Sequence, residues 1–324
     1  MWQLYSVGSH PTFERAGGQM KIRAIVLTAL IGGYSALAAS MPKNPGTPAQ
    51  MVVTVQPVRG APQQRVEPAD IKVNVANIPT PVMDLQRLSG RMAKMQLFVL
   101  LDDSTRSSSL GIQLPELKRF VRSLPDTTQV AIGYMRNGTF TSVQKFTTDH
   151  ERAADSLRLP AGVPGGNGSP YFALSDLTKH WPSQEPTVRR AVLMMTDGVD
   201  PYYSNAIMDD PYVDEAVHGA VERGIMVYSI YLHGAGVYGQ SGWIENTAQS
   251  RLIEVSRETG GFAYWQGFGD PVSISPFLRD FRERLENQYQ VTIGASNEKG
   301  FHAVKYQTEL PGVKIEGPGL VDVR

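Results

Sequence analysis

Three stretches of this chain are apolar along their whole length yet too short for helices: Gln96–Leu101, Ala191–Thr196 and Ile225–Leu232. A strand without polar alternation is buried on both faces, and such strands interleaved with amphipathic helices make a mostly parallel sheet covered on both sides. The intervening segments supply the helices. Leu114, Leu117, Phe120, Val121 and Leu124 recur at helical spacing until Pro125 stops them. Thr148 with Glu151 reads as a capping box opening a helix over Arg152–Leu157. Ser169-Pro170 opens another, to about Trp181, and Asp210-Pro211 a third with Val213, Ala216, Val217, Ala220 and Val221 on one face. Thr247–Thr259 ends at Gly260-Gly261, Phe262–Trp265 reads as a short strand, and Ser275-Pro276 begins a helix through Leu285. Thr128–Met135 and Thr139–Phe146 flank Asn137-Gly138, a two-residue hairpin turn. The expected fold is α/β: a three-layer, doubly wound, mostly parallel sheet with one antiparallel edge hairpin and short flanking β segments.

Outside that pattern, residues 40–95 are rich in Pro, Gln and Val and carry alternating segments at Met51–Val58 and Ile71–Val75. They read as a linker with a few edge strands. Tyr289–Ile293 and the alternating tail from Phe301 read as closing β-structure that pairs with strands from 51–75. The expected organisation is an N-terminal extension and signal over 1–38, a linker over 39–94, the α/β domain over 95–288 and a C-terminal β segment over 289–324. The signal expectation rests on Lys21 and Arg23, an apolar run over Ala24–Leu37, and Ala36-Leu37-Ala38 as a small-residue cleavage signature. That run is short and glycine-interrupted for a spanning helix. Cleavage near Ala38, with Met20 as the start of the signal, implies a secreted or envelope-located protein with no membrane span after removal.

Charge excludes some partners. Lys+Arg and Asp+Glu both number 31, so the net charge is zero, and no basic block interrupts that balance. A neutral field draws neither nucleic acid nor an anionic membrane. The chain has no cysteine, which removes disulfides, thiolate metal sites and a cysteine nucleophile.

In an open α/β sheet the ligand site lies beyond the carboxyl ends of the strands. Three segments project there: Asp102-Asp103-Ser104-Thr105-Arg106-Ser107, Gly165-Gly166-Asn167-Gly168-Ser169 and Thr196-Asp197-Gly198. Carboxylates and hydroxyls converging from separate strands make an oxygen-only site, suited to Mg²⁺ or Ca²⁺.

The order of these elements, together with D-x-S at the first strand end and TDG at the fourth, resembles the von Willebrand factor A fold. Tyr134–Gly138, Phe146–His150, Leu157–Pro160, Ser169–Leu177 and Glu258–Gly261 resemble, more narrowly, the von Willebrand factor A-related domain described from acidobacterial genomes, over about 95–295. The wider resemblance implies a metal-ion-dependent adhesion site whose ion takes an acidic side chain from a protein partner. By position it assigns Asp102, Ser104 and Asp197 to the ion, with Ser169 as the best match for the remaining hydroxyl. Arg106 stands where a second serine is expected. A guanidinium about 4 Å from a dication, at an effective dielectric near 20, would cost about 8 kcal/mol. Arg106 therefore points away, pairs with Asp102 or Asp197 in place of an ion, or the register shifts to Asp103-x-Thr105-x-Ser107. A strand buried on both faces has no alternation to choose between the registers.

Other chemistries fit less well. The glycines before Ser169 lack G-x-x-x-x-G-K-[ST], and no G-x-G-x-x-G follows the first strand, so nucleotide binding has no motif. A serine hydrolase needs G-x-S-x-G, which is absent. Asp102 could be a phosphotransfer nucleophile, but the strand-end segments offer no lysine. None of the six histidines is paired at metal-ligand spacing, and His150 and His218 read as structural. Tyr202-Tyr203, Tyr212, Val237-Tyr238 and Trp243 supply residue types typical of interfaces, or simply close loops over the core. The sequence thus points to a binding module, not an enzyme; an Asp-dependent phosphatase or phosphotransferase and a metal-free structural envelope protein are the alternatives.

Overall fold

In the computed structural model, which describes residues 47–58, 64–162, 168–185, 188–202, 209–233, 241–295 and 298–324, a parallel α/β layer is backed by two small antiparallel sheets. The chain begins with β1 (Thr47–Pro57), β2 (Ile71–Val75), β3 (Ile78–Thr80) and β4 (Val82–Arg87). The alternating part follows: β5 (Met95–Asp102), α1 (Ser107–Arg122), β6 (Thr128–Arg136), β7 (Thr139–Thr147), α2 (His150–Asp155), α3 (Pro170–Lys179), β8 (Arg189–Thr196), α4 (Pro211–Glu222), β9 (Ile225–Tyr231), α5 (Gly242–Thr259), β10 (Ala263–Tyr264) and α6 (Ser275–Glu286). The chain closes with β11 (Gln288–Ala295), β12 (Gly300–Thr308), β13 (Val313–Glu316) and β14 (Leu320–Val323).

The central sheet runs β10-β9-β8-β5-β6-β7, parallel except for the β6–β7 hairpin. The hairpin turn is the expected one, with Asn137 and Gly138 both at positive φ. Every residue of β5 is buried. Leu97, Val99 and Leu101 face α1, α2 and α6, while Phe98 and Leu100 face α3, α4 and α5. This is the doubly wound, three-layer α/β arrangement the apolar runs predict.

The remaining strands form two four-stranded sheets, β13-β1-β11-β4 and β14-β12-β2-β3. Alternating residues of both (Met51, Val53, Val291 and Ile293 against Val73, Val75, Val304 and Val321) share a third core, the pattern of two sheets packed face to face. The pairing of the C-terminal β-structure with 51–75 holds: β1 pairs with β11, and β2 with β12. The expectation of edge strands is corrected, since β1 and β2 are both interior. Both neighbours of β1, and one of the two neighbours of β2, come from distant parts of the chain, which local alternation does not reveal.

Buried polar links join this sandwich to the central sheet. Arg189, opening β8, donates to the carbonyls of Leu285 and Ala93 and to the side chain of Gln288. Gln288, at the start of β11 and fully buried, donates to the Tyr228 hydroxyl at 3.0 Å. Burial pushes the Arg189 guanidinium down to about 10. On α6, Arg284 donates to Asp280 at 2.6 Å and pairs with Glu316 of β13.

Several helix starts differ from expectation. α2 begins at His150, capped by Asp149, whose carboxylate accepts the Arg152 N–H at 3.0 Å. The Thr148/Glu151 box does not form, because Glu151 is engaged by Arg122 at 2.6 Å. α5 starts more than a turn earlier than Thr247. At α6, Ser275 is inside the first turn and gives its hydroxyl to Glu116 at 2.7 Å.

Gly261 holds β10 against β9 because a Cβ there would lie 1.9 Å from the Val227 carbonyl oxygen. Gly261→Ala is therefore expected to destabilise the protein by about 1–3 kcal/mol through overpacking, read from urea unfolding; an unchanged midpoint would contradict this packing.

Candidate functional site at the strand ends

The strand order reverses direction between β5 and β8, and a doubly wound sheet opens its ligand crevice at that switch point. Parallel pairing sets Leu101 beside Met195, so the next pair along the rim is Asp102 and Thr196. The Thr196 hydroxyl donates to Asp102 Oδ2 at 2.7 Å. The other carboxylate oxygen, Oδ1, accepts from the Ser104 N–H at 2.9 Å and the Ser104 hydroxyl at 2.6 Å. Asp197 follows Thr196 and is partly exposed, its Oδ1 accepting the Val199 N–H at 2.9 Å.

The third segment arrives through α3. Ser169 is its N-cap, 1% exposed, accepting the N–H groups of Tyr171 and Phe172. Two residues on, the buried Tyr171 hydroxyl donates to the Gly198 carbonyl at 2.8 Å, tying α3 to the Thr196-Asp197-Gly198 turn. The Ser169 hydroxyl donates at 2.6 Å to Asp200, a fully buried carboxylate that pattern reading passed over. Its signal was present: Asp200 follows TDG in the same strand-end loop. Gly168 stands at φ +137, and a Cβ on it would meet the Gly138 nitrogen at 2.3 Å, so this loop lies tight against the β6–β7 turn. Gly165, Gly166 and Asn167 lie outside the described residues.

The shifted register Asp103-x-Thr105-x-Ser107 is not assembled as a ligand set. Asp103 faces the opposite side of the sheet, where Arg158 pairs with it at 2.7 Å and the Ala161 N–H donates at 2.9 Å. The Thr105 hydroxyl returns to the Asp102 carbonyl at 2.8 Å, and the Ser107 hydroxyl to the Pro160 carbonyl at 3.2 Å. Arg106 is the exposed N-cap of α1 and forms no ion pair with Asp102 or Asp197.

Electrostatics separate the two aspartates of the first segment. Burial would raise the Asp103 carboxyl, but the hydrogen bonds from Arg158 and Ala161 hold it below the ordinary range. Asp102 goes the other way: burial raises it, and the bonds from Ser104 and Thr196 only partly offset that. Burial and then the Asp102 charge push Asp197 up to about 7.

Among the described residues no three His, Cys, Asp or Glu side chains gather as ligands, so a cation here would need hydroxyls beside the carboxylates. Asp102 with Ser104 offers such a set at the rim, with Asp197 beside it, whereas the Ser169 hydroxyl is given to Asp200. No basic side chain among the described residues neutralises Asp102 or Asp197. The histidines do other work: His150 bonds the Thr128 carbonyl at 2.8 Å, and His218 stacks on Phe301 at 4.0 Å. Of the aromatic group, Tyr202 is 58% exposed and stacks on Phe172, against which Tyr212 also packs; Trp243 is equally exposed. Tyr203, Val237 and Tyr238 lie outside the described residues.

The folded protein holds the Asp197 proton more tightly than an unfolded chain does. The stability linked to it is therefore present below about pH 4 and lost as pH rises through about 7. Without divalent ions the melting temperature is expected to fall between about pH 4 and 7, and Asp197→Asn to flatten that fall. Equal slopes in wild type and variant would contradict the assignment. Asp103, held low, titrates in stronger acid and does not contribute in this window.

No family model matches the chain, and no curated protein matches it. Among solved structures it is similar to an aerotolerance-related membrane protein from Bacteroides fragilis (15% identity, 59% of this chain and 98% of that chain, TM-score 0.41). Two others are VWA2, the ArnB paralog from Sulfolobus acidocaldarius (10% identity, 86% and 72%, TM-score 0.40), and proximal thread matrix protein 1 from the mussel byssus, with a zinc-occupied MIDAS motif (15% identity, 60% and 46%, TM-score 0.41). These likenesses are distant, and none bears on what this chain binds. The fold itself, with its switch point between β5 and β8 and one antiparallel edge hairpin, is von Willebrand factor A-like.

Proposed function

We propose that this chain is an exported binding module of the von Willebrand factor A-related family first described from acidobacterial genomes, and not an enzyme. Residues 95–288 would be the binding domain, with 39–94 and 289–324 supporting it. Its ligand would be an acidic side chain of a protein partner, taken at a site holding Mg²⁺ or Ca²⁺. The observation that carries this reading is the Asp102–Asp197 pair. Two carboxyls are raised by burial, and Asp197 is raised further by its neighbour's charge; hydroxyls of Ser104 and Thr196 donate to Asp102, and among the described residues no cationic side chain neutralises either.

Asp102, Ser104, Ser169 and Asp197 would hold the ion, and the chemistry it supplies when bound is Lewis acidity toward a carboxylate oxygen. Thr196 orients Asp102 by bonding one oxygen, and Tyr171 fixes the turn that carries Asp197. Arg106 lies outside the ligand set and modulates the approach of an anion from the exposed end of α1. Binding is favoured over phosphoryl transfer because the strand-end segments offer no lysine to neutralise a phosphoryl group on Asp102.

The export proposal rests on Lys21, Arg23 and Ala36-Leu37-Ala38, which lie outside the described residues. Among the described residues no helix is long and apolar enough to cross a membrane.

Calorimetric titration with Mg²⁺ and Ca²⁺ is expected to show binding, and Asp102→Asn to weaken it about tenfold or more, roughly 1.4 kcal/mol. Flat titrations with both ions at millimolar concentration would remove the ion from the reading. Capture of a partner from envelope extract that chelator does not alter would favour the structural-protein alternative, and phosphatase activity lost in Asp102→Asn would favour the enzyme.

A further inference from the structure

Helices α1 and α6 leave a groove between them that the strand-end rim does not use. They lie side by side and run the same way: Ser275 meets Glu116 and, further along, Arg282 meets Ser123, each pair 159 residues apart in sequence. Between these two crossings each helix advances about 10 Å, at the usual rise per residue. The groove encloses about 340 Å³, and the buried Phe120 and Leu278 form its floor.

Its walls are basic. Arg119 of α1 and Arg279 of α6 line it, both exposed, and neither forms an ion pair among the described residues. Arg282 lines it too and is held in place, donating to the Ser123 hydroxyl with its guanidinium 5.5 Å from the centre of the Phe120 ring. The carboxylate in the groove, Glu116, is already engaged. Its Oε2 accepts the Ser273 hydroxyl at 2.9 Å and both the N–H and the hydroxyl of Ser275 at 2.7 Å. Arg122, one turn beyond Arg119, differs: it pairs with Glu151 at 2.6 Å and Asp155 at 2.8 Å. Surplus positive charge is thus confined to the groove, in a chain whose net charge is zero.

We propose that this groove is a docking site for a short acidic stretch of a partner protein, its carboxylates taken by Arg119, Arg279 and Arg282 and an apolar neighbour resting on Phe120 and Leu278. The length suits about three residues of extended chain, at roughly 3.3 Å each. A guanidinium matches a carboxylate at two points, and one already held by Ser123 and Phe120 loses little freedom on binding. Zero net charge makes the attraction short-ranged. Nucleic acid or an anionic membrane is held by many contacts at once, and a groove this short supplies few. The surface shares no residue with Asp102, Ser104, Ser169 or Asp197, and it stands whether or not an ion binds there.

The test follows a fluorescein-labelled peptide of alternating glutamate and leucine by anisotropy on the full chain. Chelator is present throughout, so that no ion at the rim can hold the peptide. Binding is expected, and Arg119→Gln with Arg279→Gln is expected to weaken it about tenfold or more. The same peptide with glutamine for glutamate is expected not to bind. Arg87→Gln with Arg91→Gln removes equal charge at exposed positions outside the groove and is expected to bind as wild type does. Arg119→Gln alone carries the same expectation, at smaller size, should the double variant not fold. No binding at millimolar peptide, equal weakening in both double variants, or equal binding of the glutamine peptide overturns the proposal. Capture by phosphatidylglycerol vesicles that needs Arg119 and Arg279, without binding of the acidic peptide, overturns it in favour of a lipid surface.

Discussion

Everything at the strand-end rim depends on the parallel pairing of β5 with β8. Seven aligned residue pairs, from Met95 with Arg189 to Leu101 with Met195, run through the middle of the sheet with no bulge. Both strands are interior, so neither can slide without breaking hydrogen bonds to neighbours on both sides. That rigidity delivers Asp102 to Thr196 at hydrogen-bonding distance and places a second carboxylate one residue further on. The buried Asp102 and the partly exposed Asp197 raise one another's cost of ionising, which opposes folding at neutral pH.

The antiparallel sandwich gives the rim a firm base at the opposite end of the sheet. Arg189 opens the same strand that ends in Thr196, and its bonds to Leu285, Ala93 and Gln288 anchor β8 at its start. Arg284 reaches from α6 to β13 and also lies over the Phe262 ring at 3.8 Å. These are buried guanidiniums meeting several acceptors each. Removing one partner would leave a charge or a carbonyl unsatisfied, which makes such links strongly position-specific even when their net contribution to stability is small.

Most of the α/β layer was legible because continuous apolar strands and helical spacing are local signals. Asn137-Gly138, Asp210-Pro211 and Gly260-Gly261 each mark a boundary that the backbone respects. The choice between Asp102 and Asp103 was not legible. It turns on which face Phe98 and Leu100 take, and β5 is apolar on both. Asp200 was missed for a related reason: nothing in its own segment says that Ser169 will arrive beside it. The interior position of β1 and β2 was hidden as well, since β11, β12 and β13 lie far along the chain and composition around β1 and β2 suggested a linker.

The pairing of β1 with β11 has a consequence for how the molecule comes into being. Thr47 lies opposite Ala295, so β1 has no neighbour until β11, on the far side of the whole parallel layer, has left the ribosome. The whole parallel layer can condense in that interval, while an apolar, β-prone ribbon waits with both edges open. Contacts so widely separated form slowly, and an unmated strand is a template for association with other nascent copies.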